Sequence, residues 1–334
     1  MASAIRKALG SVAPEARVED AYPGLLEVFA ANPFHTPVAL VGTPWWVYRD
    51  VLVPPVAGGM GFTSVSDLIS EKTAGKGQWL NVLKVGTTGV IASSNSLWNV
   101  GTFPPAGGVA PAAPGGAAPT QATTGAMRFT NPTGGDTLHV LGTPGIQANV
   151  NAMARLLYDR IWHGTQSLNA TNVAWTGVPT RYTGAASPGN FVSLEVTTVM
   201  SATATNLTVT YVDQDGNTAE AAAAVALTVS SAVNRIPLPV PRYTVALNAS
   251  DTGVRNVTNV ASSGANTGVA NVFIGRPLAV FPCPLANFPA PLDLVNAYPS
   301  LPQVQSDACL AWIELQKSAT TATTYQGAIE LCAG

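Results

Sequence analysis

From Ala126 to the C-terminus, apolar and polar positions alternate at period two, the spacing that sends successive side chains to opposite faces of a strand. The clearest case is LTVTYVD, where Leu207, Val209 and Tyr211 share one face and Thr208, Thr210 and Val212 the other. Asp213 to Asn217 then turns the chain back. Similar segments recur at 127–130, 136–142, 153–163, 191–199, 218–229, 242–247, 253–262, 268–281, 308–316 and 324–331. These outnumber the eight strands of a minimal jelly roll. A mainly β chain follows, an antiparallel β-sandwich of jelly-roll type with extra edge strands.

Upstream the pattern is broken. Short apolar runs cut by Pro and Gly predict a helix over 22–31, strands over 38–41, 45–53, 78–86 and 89–94, and a helix over 65–72 with Ser64 or Ser66 as its cap. Residues 1–103 thus read as an extended, partly irregular N-terminal arm or small satellite domain. Residues 104–125, PPAGGVAPAAPGGAAPTQATTG, cannot bury enough apolar surface to fold alone and read as a linker or an arm laid on another surface. The β-sandwich domain is then 126–334. Helical βαβ alternation and heptads are missing, which argues against α/β enzyme folds.

Composition narrows the function. Charged residues make up 10% of the chain and the net charge is −2, against a usual charged share of ~25%. Clustered Lys and Arg for nucleic acid are not found, and no run approaches the ~18 apolar residues of a membrane helix. So little charge suggests a surface covered by other chains. Cys283, Cys309 and Cys332 show no CxxC spacing and read as buried thiols, with a Cys309–Cys332 bridge the alternative. The N-terminus has no apolar signal core, so the chain is expected to be made and folded in a cytoplasm.

Candidate chemistry is sparse. DQDGN at 213–217 has the opening spacing of a calcium loop, with Asp213 and Asp215 as ligands, but lacks the distal Glu and fits a hairpin turn. LLYDRIWH at 156–163 gathers Asp159, Arg160 and His163. At strand period Asp159 and His163 share a face with Leu157 and Ile161, and a structural role is favoured because no nucleophile or further ligand accompanies them. The other carboxylates select no catalytic pair, and no phosphate loop or cofactor motif occurs. Trp45, Trp46, Tyr48 and Trp98 stand out as large side chains with little local core, candidates for contact with a partner.

The Pro/Ala/Gly stretch, TTGAMRFTNPTGGDTLHVLG, LLYDRIWH, DTGVRNV, GRPLAVFPCPLANFPAPLDLV and the closing SDACLAWIEL and TYQGAIELCAG together resemble a group of tailed-bacteriophage virion proteins, over about residues 98–334. The resemblance implies a non-enzymatic head decoration or cement protein without cofactor or metal. It would bind the major capsid protein and itself, a trimer before a dimer, and reside in the virion after assembly in the host cytoplasm. The alternatives are a major shell or tail subunit of the same particle, or a jelly-roll carbohydrate- or receptor-binding module with Trp162, Trp175 and Tyr182 in its groove.

Overall fold

A computed structural model describes residues 61–87, 93–149, 152–239, 242–283, 286–297, 301–317 and 323–334. Helix α1 (Val65–Glu71) precedes β1 (Gly77–Thr87), the short β2 (Asn95–Ser96) and β3 (Thr102–Phe103), then β4 (Leu138–Ala148) and β5 (Ala152–Asn169). There follow β6 (Asn172–Ala174), β7 (Phe191–Thr198), β8 (Asn206–Asp213), β9 (Glu220–Ala221) and β10 (Val225–Ala226). The chain closes with β11 (Val254–Ser262), β12 (Ala265–Pro282), β13 (Ala290–Asp293), the one-turn α2 (Leu294–Ala297), β14 (Gln303–Val304), β15 (Leu310–Lys317) and β16 (Thr323–Ala333). The fold is mainly β, and every strand pairing is antiparallel.

The strands form a six-stranded sheet, β13-β4-β16-β1-β3 with β14 beside β4, a central sheet, β2-β15-β5-β12-β7, and a third sheet, β10-β8-β11-β6 with β9 beside β8. The central sheet serves two cores. Leu157 of β5, Ala279 and Phe281 of β12, and Leu310 and Trp312 of β15 meet Leu80, Val82, Leu138, Val140, Ile329 and Leu331 of the six-stranded sheet. Leu156, Tyr158 and Trp162 of β5 and Val272 and Ile274 of β12 instead join Val209, Tyr211, Val257 and Val260 of the third sheet. Each fully buried aliphatic or aromatic side chain contributes about 1.5–3 kcal/mol. This explains why β5 is apolar at consecutive positions: it has a core on both faces.

The expected helix over 65–72 is present. Ser64 Oγ accepts from the Asp67 N–H at 3.1 Å, and Leu68 turns inward. Strands fall within most of the alternating segments, but not all. Residues 242–247 form no strand, and Met127 contributes only an isolated bridge to Leu310. The Ala-rich segment at 218–229 yields only β9 and β10, since Ala offers little side chain for a sheet to pack. The β fold also begins earlier than Ala126. β1 lies between β16 and β3, and β2 pairs with β15. The helix and strands expected over 22–53 lie outside the described residues.

Residues 104–125 run as an ordered strap over the central sheet. Ala112 pairs in parallel with Thr165 and Ala117 in antiparallel with His163. Gly107 and Gly116 permit the close approach: a Cβ would fall 2.0 Å from the Trp98 ring at Gly107 and 2.6 Å from the Trp162 ring at Gly116.

Candidate functional site

The polar side chains of LLYDRIWH lie at the centre of the molecule, under the strap. On β12, Ile274 pairs with Trp162 and Gly275 with Arg160, so Ile161 is an extra residue, a β-bulge. The bulge breaks the simple alternation expected from sequence. His163 shares a cluster with Tyr158 and Arg160 instead of with Asp159.

In that cluster Arg160 Nε donates to His163 Nδ1 at 3.0 Å, Nη1 to the Tyr158 hydroxyl at 3.4 Å and Nη2 to Glu195 Oε1 at 2.9 Å. Its guanidinium also lies over the Trp98 and Phe273 rings, at 4.7 and 4.4 Å. Asn271 Nδ2 donates to the same Glu195 oxygen at 2.8 Å, while Asn271 Oδ1 accepts from the strap's Ala110 N–H at 2.9 Å. Burial and the adjacent Arg160 push the His163 imidazole down to about 2, so the ring is neutral. Because Nδ1 accepts from Arg160, the ring proton sits on Nε2.

Asp159 turns the other way. Its Oδ2 accepts from Arg181 Nε and its Oδ1 from Arg181 Nη2, both at 2.8 Å, and Oδ1 also accepts from the Cys309 N–H at 2.8 Å. Burial pushes the carboxyl up, and the Arg181 guanidinium pulls it back. Arg181 Nη2 further donates to the carbonyls of Pro119, in the strap, and of Arg160. Arg181, paired with Asp159, and Asn271, which shares Glu195 with Arg160, thus hold the strap from beneath. Backbone bonds complete the latch: Thr165 N–H to Pro111 O, Thr176 N–H to Pro114 O, and the reciprocal pair between Ala117 and His163.

A third group lies between the central and six-stranded sheets. Arg155, fully buried, stacks on the Tyr325 ring at 4.1 Å and donates to Cys283 Sγ at 3.1 Å. The Tyr325 hydroxyl and Asn95 Nδ2 donate to Glu314. Near the β3 end, Lys84 Nζ donates to the carbonyls of Val100 and Pro104, both at 2.8 Å, and burial lowers its ammonium to about 8.

These polar contacts tie distant segments of the one chain together. Asp159 and Glu195 are fully buried and engaged with arginines, so neither reaches a substrate. The Asp213 carboxylate is used by its own turn: Oδ1 accepts from the N–H groups of Asp215, Gly216 and Asn217, and Oδ2 from Asn217 Nδ2. Cys283, Cys309 and Cys332 are free and buried. No group of three or more metal-ligating side chains occurs among the described residues.

Of the candidate partner contacts, Trp45, Trp46 and Tyr48 lie outside the described residues. Trp98 is corrected: it is 1% exposed, packed under Gly107 and Arg160, and belongs to the core. Trp162, Trp175 and Tyr182 are likewise buried, so they line no sugar-binding groove. The residues that sequence alone did not single out are Arg181, Glu195 and Asn271, which reach β5 or its neighbours from distant elements and leave no local motif. No family model, curated protein or solved structure matches this chain.

Proposed function

We propose that this protein is a non-enzymatic structural component of a tailed-phage virion, a head decoration protein that adds to the assembled shell through its major capsid protein. The observation that carries the reading is the strap. No charged residue occurs between Lys84 and Arg128, and within that stretch residues 105–106, 108–109 and 111–115 are exposed. Their outer surface is Pro, Ala, Gly and Val on a backbone held from below by hydrogen bonds from Arg181 to Pro119 O and from Ala110 N–H to Asn271. Ordering such side chains on contact costs almost no rotamer entropy. An uncharged, pre-organised ribbon suits a broad, modest contact repeated many times over a shell, where multivalency supplies retention. The interior placement of the acids and imidazole accords with binding rather than turnover.

The test is addition of the purified chain to expanded, undecorated heads of the phage that encodes it, imaged by cryo-electron microscopy. Symmetric, stoichiometric copies with the strap against the shell are expected. Heads left bare at saturating protein, or copies found only on tails, would sink this reading.

A further inference from the structure

Between two cationic anchors the strap is held almost without side chains of its own. Lys84 Nζ donates to the Pro104 carbonyl at one end, and Arg181 Nη2 to the Pro119 carbonyl at the other. Of residues 105–118 only Ala110 is buried. What fixes this stretch is hydrogen bonding: Gly107 N–H to Trp98 O, Ala110 N–H to Asn271 Oδ1, Asn271 Nδ2 to Gly108 O, Thr165 N–H to Pro111 O, Thr176 N–H to Pro114 O, and the reciprocal pair between Ala117 and His163. Lifting it forfeits the burial of one methyl group. Opening β8 or β11 instead forfeits the packing of Val209, Tyr211, Val257 and Val260. Segments with so few buried apolar contacts are the ones that open locally.

His163 ties this stretch to a titratable group. Its backbone forms both bonds to Ala117, and its ring lies edge-on to Trp98 at 5.8 Å, a side chain that Gly107 and Gly125 of the strap roof over. With the strap down, the ring accepts from Arg160 Nε at 3.0 Å, and a second proton would set two cations in contact. The charges around it come from two strands: Arg160 of β5, and Glu195 of β7 that pairs with it. Tyr158 of β5 is held neutral by burial, and Asp159 turns away onto Arg181. The strap, the Trp98 segment and the β12 residues Asn271 and Phe273 bring no charge. With the strap lifted, Trp98 loses its roof and the ring gains water, so the proton can be taken up.

We propose that residues 105–118 are a flap that opens while both cores stay folded, and that protonation of His163 holds it open. The strap is then an acid-released latch. Because the flap carries the exposed residues assigned above to shell contact, acid should also release the protein from heads. That use rests on the decoration reading, whereas the flap does not.

Hydrogen exchange on the purified chain, corrected for intrinsic rates, reads the opening directly. At pH 7 the amides of Gly107, Ala110, Ala117, Thr165 and Thr176 should exchange at least about 100-fold faster than those of β8 and β11. Urea below about 1 M should leave them unchanged while it speeds the core amides, because a local opening exposes little surface. A ring that titrates at 6.5 once free of Arg160 and at about 2 beside it raises the opening constant about 25-fold from pH 7 to pH 5. His163→Asn should abolish that rise, with His163→Gln in its place if the first variant does not fold, and His139→Asn should keep it. Strap amides as slow as the core, an opening constant unchanged between pH 7 and 5, or a rise that survives in His163→Asn would overturn the proposal. Heads that never bind the chain would remove the decoration reading without touching these exchange results.

Discussion

His163 is a built-in source of acid sensitivity. Its ring accepts from a guanidinium, lies 4% exposed and has no room for a second proton, which would set two cations 3.0 Å apart in a dry interior. Burial first and Arg160 second hold the folded value at about 2, below the unfolded 6.5. The unfolded chain therefore binds the proton that the folded chain refuses, and stability falls as pH drops through 6.5. By linkage the loss is about 0.2 kcal/mol at pH 7 and about 2 kcal/mol at pH 5, growing by about 1.4 kcal/mol per further unit. His139, also lowered by burial, adds a loss of the same sign. The perturbation is His163→Asn, which keeps an acceptor near the Nδ1 position and cannot ionise. Urea unfolding followed by tryptophan fluorescence at pH 5, 6 and 7 should show the variant losing about 2 kcal/mol less than the natural chain over that range, whatever its stability at pH 7. Parallel pH profiles for the two chains would refute the placement of a neutral imidazole against Arg160.

Two further outcomes follow from the other buried charges. Arg181→Met leaves Asp159 unpaired and Pro119 O without its donor, so stability should fall by about 3–5 kcal/mol in urea unfolding, with new proteolytic cleavage inside 104–125. Lys84, with a folded value of about 8 against 10.5 unfolded, binds fewer protons folded than unfolded between those values. Stability should therefore rise by about 2 kcal/mol from pH 7 to 9.5, and Lys84→Met should abolish that rise.

The strands were legible wherever one face carried the pattern. β8 alternates cleanly because only its inner face meets a core, and α1 was marked by its cap. β5 was legible as a strand but not as a site. Its polar face depends on one inserted residue, and a bulge at Ile161 has no signature in a run of mixed apolar and charged side chains. The strap was the least legible. Within PPAGGVAPAAPGGAAPTQATTG only a turn at Thr120–Thr123 holds itself; the rest of its course is set by Asn271, Arg181 and the edge of His163, supplied from sequence-distant segments. An arm boundary at 103 fails for a related reason: β1 is irregular in its surroundings but takes its place from β16, at the far end of the chain.

Low charge first suggested a surface hidden by neighbouring chains. The charged side chains that remain are disproportionately informative, because Lys84, Arg155, Asp159, Arg160, Arg181, Glu195 and Glu314 are all buried. Interior charges of this kind contribute little net stability, since desolvation offsets their attraction, but they penalise any arrangement that leaves one unpaired. Here each misplacement of the strap would strand Arg181 or Asn271 against unfilled partners. The sequence thus uses its few charges to fix one course for a chain of Pro, Ala and Gly that has no preference of its own. The strap's own outer side carries no charged residue, so what it presents is a neutral surface held in one course from beneath.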